Sequence, residues 1–77
     1  MKEVIVYSQP ECPPCEVVKM FLKEHHVNYK EINIKNDEQA RNYLINQLKS
    51  YSTPTVTIDS EVISGFNLEA LSAALNK

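Results

Sequence analysis

The stretch Val4–Cys15, with the sequence VIVYSQPECPPC, decides how the chain begins to fold. Its first four residues are apolar and mostly β-branched, a pattern that predicts a buried strand. After a polar break, the Pro13–Pro14 pair suits the first turn of a helix, because the leading backbone N–H groups of a helix have no partner inside it. We therefore predict a strand followed by a helix, with Cys12 at the N-cap and Cys15 at position N3.

Hydrophobic periodicity extends this start to the order βαβαββα for the whole chain. We predict that the first helix ends near His25–His26 and that a second strand, Tyr29–Ile34, follows it. The second helix is capped by Asn36, with Gln39 in a capping box, and its buried stripe consists of Ala40, Tyr43, Leu44 and Leu48. After a polar connection, Ser50–Thr53, come the strands Thr55–Ile58 and Val62–Ser64 and a last helix that is capped by Asn67 with a Phe66–Leu71 staple. A βαβ start implies parallel strands, and a closing hairpin adds antiparallel ones. The predicted fold class is α/β, with a four-stranded mixed sheet, helices on both faces and a single domain over residues 1–77.

Composition and charge narrow the function. The chain has 8 Lys+Arg and 10 Asp+Glu, a formal net charge of −2, and no basic tract that would bind phosphates, so we expect neither nucleic-acid nor membrane binding. The longest apolar run is far too short for a membrane span. The first residues carry no apolar signal-peptide region. These features predict a cytoplasmic protein, and we expect it to be a monomer.

The two cysteines are too close together to stabilise the fold. A disulfide across Cys12 and Cys15 closes only a four-residue loop, which on the chain-entropy estimate contributes about 2 kcal/mol. A chemical role is the better interpretation, because a helix N-terminus favours a thiolate and the thiolate is the nucleophile of disulfide exchange. We expect Cys12 to attack a substrate disulfide and Cys15, deeper in the helix, to resolve the mixed disulfide.

Three other interpretations of the cysteine pair stay open. A zinc site needs about four ligands, and the adjacent His25–His26 side chains diverge too far to join the cysteines on one metal. A Cu(I) or iron–sulfur carrier would use the same soft thiolates, but copper-transfer modules resemble Met-x-Cys-x-x-Cys in a βαββαβ order, and two prolines stiffen the loop here. Two buried structural cysteines are the third interpretation.

Four segments together resemble those of glutaredoxin-like small redoxins of the thioredoxin superfamily. They are Val6–Cys15, Tyr29–Ile34, Thr53-Pro54-Thr55 and Ser64-Gly65-Phe66. The resemblance implies a thioredoxin-like, glutaredoxin-type fold and a thiol–disulfide oxidoreductase that reduces protein or small-molecule disulfides. It also implies a cis Thr53–Pro54 peptide that faces the cysteines and orients the substrate backbone.

The resemblance leaves two electron donors open. Glutaredoxins bind glutathione partly through a basic residue three positions before the first cysteine, where this chain has Gln9, and through an acidic cap of the last helix, where it has Asn67. Ser64-Gly65-Phe66 instead looks like the turn of NrdH-type redoxins, which take electrons from thioredoxin reductase and feed ribonucleotide reductase. We expect glutathione or thioredoxin reductase as reductant, disulfide-bearing proteins as partners, and no metal or tightly bound cofactor. The substrate-binding candidates are Pro13, Pro14, Thr53, Pro54, Gly65, Phe66 and Asn67.

Local charge bears on the reactivity of Cys12. Glu11 and Glu16 flank the cysteines, and no lysine or arginine lies within three residues of Cys12. Because like charge disfavours a thiolate, we predict that the Cys12 pKa is less depressed than in strongly acidic thiol oxidoreductases. The matching reduction potential is about −270 to −200 mV. Alternatively, Glu11 and Glu16 are solvated and screened, and Lys19 or the neighbours of Met20 offset the charge of Glu16.

Overall fold

The computed structural model describes residues 3–50 and 53–76, and it has the predicted order of elements. These are β1 (Val4–Ser8), α1 (Pro13–Glu24), β2 (Lys30–Asn33), α2 (Glu38–Asn46), β3 (Thr55–Ile58), β4 (Glu61–Ser64) and α3 (Leu68–Leu75). The predicted Ser50–Thr53 connection runs through Tyr51 and Ser52, which lie outside the described residues, as does the start of the chain before Glu3. Within the described residues no helix is long and apolar enough to cross a membrane.

The four strands form one mixed sheet in the order β2-β1-β3-β4. β1 pairs with β2 in parallel and with β3 antiparallel, and β3 pairs antiparallel with β4. The end of β1 therefore lies beside the start of β3, where Tyr7 pairs with Thr55, and Thr55 in turn pairs with Ser64 at the end of β4. The segments that precede α1, β3 and α3 thus meet at one end of the sheet.

The core lies on β1, β3 and β4 and the inner faces of α1 and α3. Its buried members are Val4, Val6, Val18, Leu22, Val56, Ile58, Ile63, Leu71 and Ala74. Leu22 is fully buried, whereas Val17 on the same helix is 42% exposed. α1 is therefore anchored along one face and leaves the other free, which fixes its N-terminus at the end of the sheet.

The start of α2 corrects one prediction. Asp37, not Asn36, is the N-cap, and its Oδ1 accepts the backbone N–H of Ala40 at 3.0 Å. Gln39 consequently sits at N2 rather than in the capping-box position N3. A carboxylate at the positive end of a helix is stabilised by the macrodipole as well as by the hydrogen bond, which explains the shift by one residue.

The predicted buried stripe of α2 is only partly correct. Leu44 is buried, but Tyr43 is exposed, and Ala40 and Leu48 are half-buried. A tyrosine has a polar hydroxyl that is solvated when it is exposed, whereas an aliphatic side chain has none. A tyrosine at the edge of a stripe therefore turns outward at little cost.

The last helix begins as predicted, with Asn67 at its N-cap. The Oδ1 of Asn67 accepts the backbone N–H of Ala70 at 3.0 Å. The Phe66–Leu71 staple stays a prediction; Leu71 is buried and Phe66 is 54% exposed, so much of the Phe66 ring is open to solvent. It remains available at the end of the sheet.

Candidate active site

Cys12 and Cys15 form a disulfide at the N-terminus of α1. The two sulfurs are 2.12 Å apart and the two Cα atoms 5.3 Å apart. Cys12 is the N-cap, with extended φ and ψ of −122° and 91°, and the backbone N–H of Cys15 donates to the Cys12 Sγ at 3.2 Å. Both positions agree with the prediction. The helix therefore presents a hydrogen-bond donor directly to the first sulfur.

The two prolines decide which donors are available to that sulfur. Pro13 and Pro14 occupy N1 and N2 and have no N–H, so the first amide of the helix is that of Cys15. The next amide, that of Glu16, donates to the Cys12 carbonyl at 3.2 Å. The Cys12 sulfur thus faces one helix amide rather than two or three, which limits how strongly hydrogen bonding can favour its thiolate.

The two sulfurs differ in access. Cys15 is fully buried, whereas Cys12 is only partly buried. An incoming disulfide can reach the first sulfur but not the second, because a buried sulfur offers no approach in line with a disulfide bond. This asymmetry can give the two cysteines different chemical roles.

Thr53 lies beside the first sulfur of the disulfide. Its Oγ1 is 3.7 Å from the Cys12 Sγ, although the two residues are 41 positions apart in the chain. The Thr53–Pro54 peptide is cis, as the resemblance implies, and Pro54 is buried. The antiparallel pairing of β1 with β3 brings this segment to the cysteines.

The Gly65–Asn67 turn lies at the same end of the sheet, because Ser64, which precedes it, pairs with Thr55. Gly65 has a φ of +80° and open space where a Cβ would lie. Phe66 is exposed, and Asn67 is committed to its capping bond. Of the predicted substrate-binding residues outside the cysteine motif, Thr53 is the one that the structure shows beside Cys12, with its Oγ1 3.7 Å from the sulfur.

A cavity of about 730 Å³ opens beside Cys12, on the side of β2. It is lined by Ser8, Gln9, Pro10, Glu11, Cys12, Pro13, Glu16, Lys19, Glu31 and Asn33. Sequence reasoning did not place Ser8, Glu31 or Asn33 at the site. The position of Ser8 at the end of the first strand could have indicated its place at the site. A strand that runs parallel to β1 ends beside Ser8 and brings its own last residues there.

An ion network forms one wall of this cavity. The Lys19 ammonium contacts the carboxylates of Glu16 and Glu31, the latter at 2.8 Å, and the Ser8 hydroxyl donates to Glu31 at 2.8 Å. Hydrogen bonds to Glu16 and Glu31 raise the Lys19 pKa, and bonds from Lys19 and Ser8 lower the pKa of Glu31. Lys19 therefore does offset Glu16, in line with the alternative, but Glu31 adds a carboxylate that the sequence did not reveal.

Metal ligands other than the two sulfurs are not gathered here. Among residues 3–50 and 53–76 no three His, Cys, Asp or Glu side chains cluster as a metal site would require. His25 lies at the far end of α1, where its ring packs against Phe21 at a tilt of 38° with the centroids 4.3 Å apart. A four-ligand zinc site at the cysteines would have to draw on groups from outside the described chain.

Comparison with known proteins identifies relatives of the same architecture. A family model described as Glutaredoxin matches residues 4–63. The glutaredoxin-like protein NrdH of Lactococcus lactis subsp. cremoris is 35% identical over 63 residues, which cover 82% of this chain and 86% of that protein. The crystal structure of the thioredoxin-like protein BC3987 is 51% identical, covers 94% of this chain and 99% of its own, and superimposes with a TM-score of 0.91.

A more distant structure shares the fold. The NrdH-redoxin of Escherichia coli is 20% identical and superimposes with a TM-score of 0.86, with 92% of each chain covered. At that identity the likeness concerns the arrangement of the sheet and helices. The mixed sheet and three helices of this chain are thus those of the thioredoxin-like, glutaredoxin-type fold, as predicted.

Proposed function

The chain belongs to the glutaredoxin family, and from that premise we propose that it is a thiol–disulfide oxidoreductase that reduces disulfides in proteins or small molecules. The observation that carries the proposal is the asymmetry of the cysteine pair. One sulfur is accessible and receives a helix amide at 3.2 Å, and the other is fully buried beneath it. A structural pair would gain nothing from that difference.

In the first step the reduced Cys12 thiolate attacks one sulfur of a substrate disulfide. A Cys12–substrate disulfide forms, and the other substrate sulfur leaves as a thiolate that takes up a proton. The amide of Cys15 stabilises the attacking thiolate before bond formation. The Thr53 backbone pairs with an extended substrate chain in this proposal, which the position of the Thr53 side chain, 3.7 Å from the Cys12 sulfur, supports.

In the second step the Cys15 thiolate attacks the Cys12 sulfur. The Cys12–Cys15 disulfide forms and the second substrate sulfur leaves and is protonated, so that two electrons and two protons pass from the dithiol to the substrate. A reductant then returns the pair to the dithiol. This reductant is either the dithiol of a thioredoxin reductase or two molecules of glutathione, and no tightly bound cofactor is needed.

We favour thioredoxin reductase as the electron donor, and ribonucleotide reductase as one acceptor, on the NrdH-like resemblance. Gln9 lines the cavity beside Cys12 without a charge that would attract a glutathione carboxylate. The side-chain oxygen of Asn67 accepts the capping hydrogen bond of α3, and the residue carries no charge that would attract the glutathione amino group. The exposed Phe66 ring offers a protein partner an apolar contact instead.

The test follows NADPH oxidation in two parallel systems, one with thioredoxin reductase and one with glutathione and its reductase, each with an oxidised substrate. We expect turnover with thioredoxin reductase and little with glutathione. Turnover with glutathione alone would overturn the choice of donor. Absence of turnover in both systems, or stoichiometric copper or visible iron–sulfur absorbance in the purified reduced protein, would overturn the proposed activity.

A matched double variant tests the reason for that choice. Gln9→Lys with Asn67→Asp restores both charges while keeping a residue that can cap α3. Since each charge-assisted hydrogen bond is worth about 1.5–3 kcal/mol, glutathione-dependent turnover should rise about tenfold or more. An unchanged rate would mean that these two positions do not decide between the donors.

A further inference from the structure

Three hydroxyl groups meet at the end of the sheet that carries the cysteines, outside the residues assigned to the reaction. The Ser50 Oγ lies 2.8 Å from the Thr55 Oγ1 and 2.7 Å from the Ser64 Oγ. Ser50 is 1% exposed and Thr55 is fully buried, whereas Ser64 is exposed. A hydroxyl has one proton and two lone pairs, so Ser50 can donate to one neighbour and accept from the other.

Each of the two partners adjoins a segment that the proposed function assigns to substrate binding. Thr55 opens β3 directly after Thr53 and Pro54, and Ser64 closes β4 directly before Gly65 and Phe66. Thr55 and Ser64 also pair across β3 and β4. Ser50 therefore bridges the two loops at the point where they leave the sheet.

Ser50 is itself held from a third element. Lys49 turns the chain with a φ of 57°, and the Ser50 backbone N–H donates to the carbonyl of Leu44 in α2 at 3.1 Å. Leu44 is one of the most buried side chains. The Ser50 hydroxyl is thus fixed by the end of a packed helix, and the two loop bases are fixed by that hydroxyl.

We propose that Ser50 is a positioning residue, which holds the Thr53–Pro54 and Gly65–Phe66 segments at the separation that a docked substrate chain requires. This role rests on the proposed disulfide reduction. The Ser50 hydroxyl contacts Thr55 and Ser64 at the bases of the two loops, so its role lies in the binding of a peptide substrate rather than in the attack of Cys12. A small disulfide without peptide groups has no chain to dock, and its reduction does not depend on Ser50.

The experiment measures how fast the reduced protein is oxidised by a peptide disulfide and by hydroxyethyl disulfide, each over a range of concentrations. For the peptide, saturation separates the half-saturating concentration from the limiting rate. The variants are Ser50→Ala, Ser64→Ala and the control Thr57→Val, which removes a buried hydroxyl two residues along β3 from Thr55. Ser64 is exposed, so its variant tests the network even where Ser50→Ala fails to fold.

We expect Ser50→Ala to raise the half-saturating peptide concentration about fivefold, and Ser64→Ala about twofold, each with a limiting rate close to that of the wild type. Thr57→Val should leave the peptide unaffected, and all three variants should reduce hydroxyethyl disulfide normally. Unchanged peptide saturation in Ser50→Ala, or in Ser64→Ala if the former does not fold, overturns the role of Ser50. Equal losses with both disulfides overturn it too. A wild-type protein that reduces neither disulfide instead refutes the proposed function and, with it, this role.

Discussion

A single amide distinguishes the two sulfurs at the active site. The N–H of Cys15 points at the Cys12 Sγ at 3.2 Å, and the prolines at N1 and N2 remove the other donors of the first turn. One donor favours a thiolate less than several donors would, and the positive charge of Lys19 is already paired with Glu16 and Glu31. We therefore expect a reduction potential of about −270 to −200 mV for the cysteine pair. A measured value of about −120 mV would contradict that expectation.

The different access of the two sulfurs predicts different outcomes for two matched variants. Cys12→Ser should abolish disulfide reduction, because the buried Cys15 sulfur cannot be reached by a substrate. Cys15→Ser should still react once and then accumulate a mixed disulfide with Cys12, because no resolving thiol remains. Mass spectrometry after incubation with an oxidised substrate measures the adduct. Equal trapping by both variants would contradict the assigned roles.

Glu31 predicts a pH dependence of stability. Hydrogen bonds from Lys19 and Ser8 lower its pKa, so the ionised form is favoured by folding. That contribution is present above the ordinary glutamate pKa and is lost as the pH falls through the lowered value in the folded protein. Because the side chain is 40% exposed, the contribution should be only a few tenths of a kcal/mol.

The test compares Glu31→Gln with Glu24→Gln, an exposed carboxylate at the other end of α1. Urea unfolding of each variant and of the wild type is measured between neutral and acid pH. Glu31→Gln should lower the unfolding free energy near neutral pH, and the deficit should vanish in acid. A deficit of the same size at both pH values would show that the lost hydrogen bond, not the charge, matters.

At the scale of elements, the sequence was sufficient where a local signal stood alone. Two prolines after an N-cap residue fixed the start of α1, and Asn67 was a sole candidate for the cap of α3. At α2 two capping residues stand side by side, and only the hydrogen bond from Ala40 to Asp37 distinguishes them. Asn36 and Asp37 have similar capping propensities, so sequence alone could not decide.

The Asp37 cap can be tested against its neighbour. Asp37→Ala should lower the free energy of unfolding by about 1 kcal/mol, since it removes the acceptor of the Ala40 amide and a charge that suits the helix dipole. Asn36→Ala should change it by less than about half of that. Urea denaturation followed by circular dichroism measures both. A larger loss of unfolding free energy in Asn36→Ala than in Asp37→Ala would mean that Asn36 caps α2.

At the scale of the whole molecule, the active site is a product of strand register. Cys12 meets Thr53 across 41 positions of the chain and Ser50 meets Ser64 across 14, because β1, β3 and β4 end together. The same register brings Ser8 against Glu31, 23 residues away. Motif spacing identifies the cysteines and the family resemblance adds the Thr53–Pro54 segment, but the long-range contacts of Ser8, Glu31 and Ser50 need the folded sheet.

The strand register depends on the small core, to which α1 contributes buried side chains. At about 0.05–0.15 kcal/mol per residue, a chain of this length has about 4–12 kcal/mol of net stability. Leu22 is fully buried on α1, so Leu22→Ala should cost about 2–5 kcal/mol, a large share of that total. Val17 on the same helix is 42% exposed, and Val17→Ala should cost less than about 0.5 kcal/mol. Urea unfolding of the oxidised protein measures both. A loss in Leu22→Ala no larger than in Val17→Ala would mean that α1 does not depend on the core for its position.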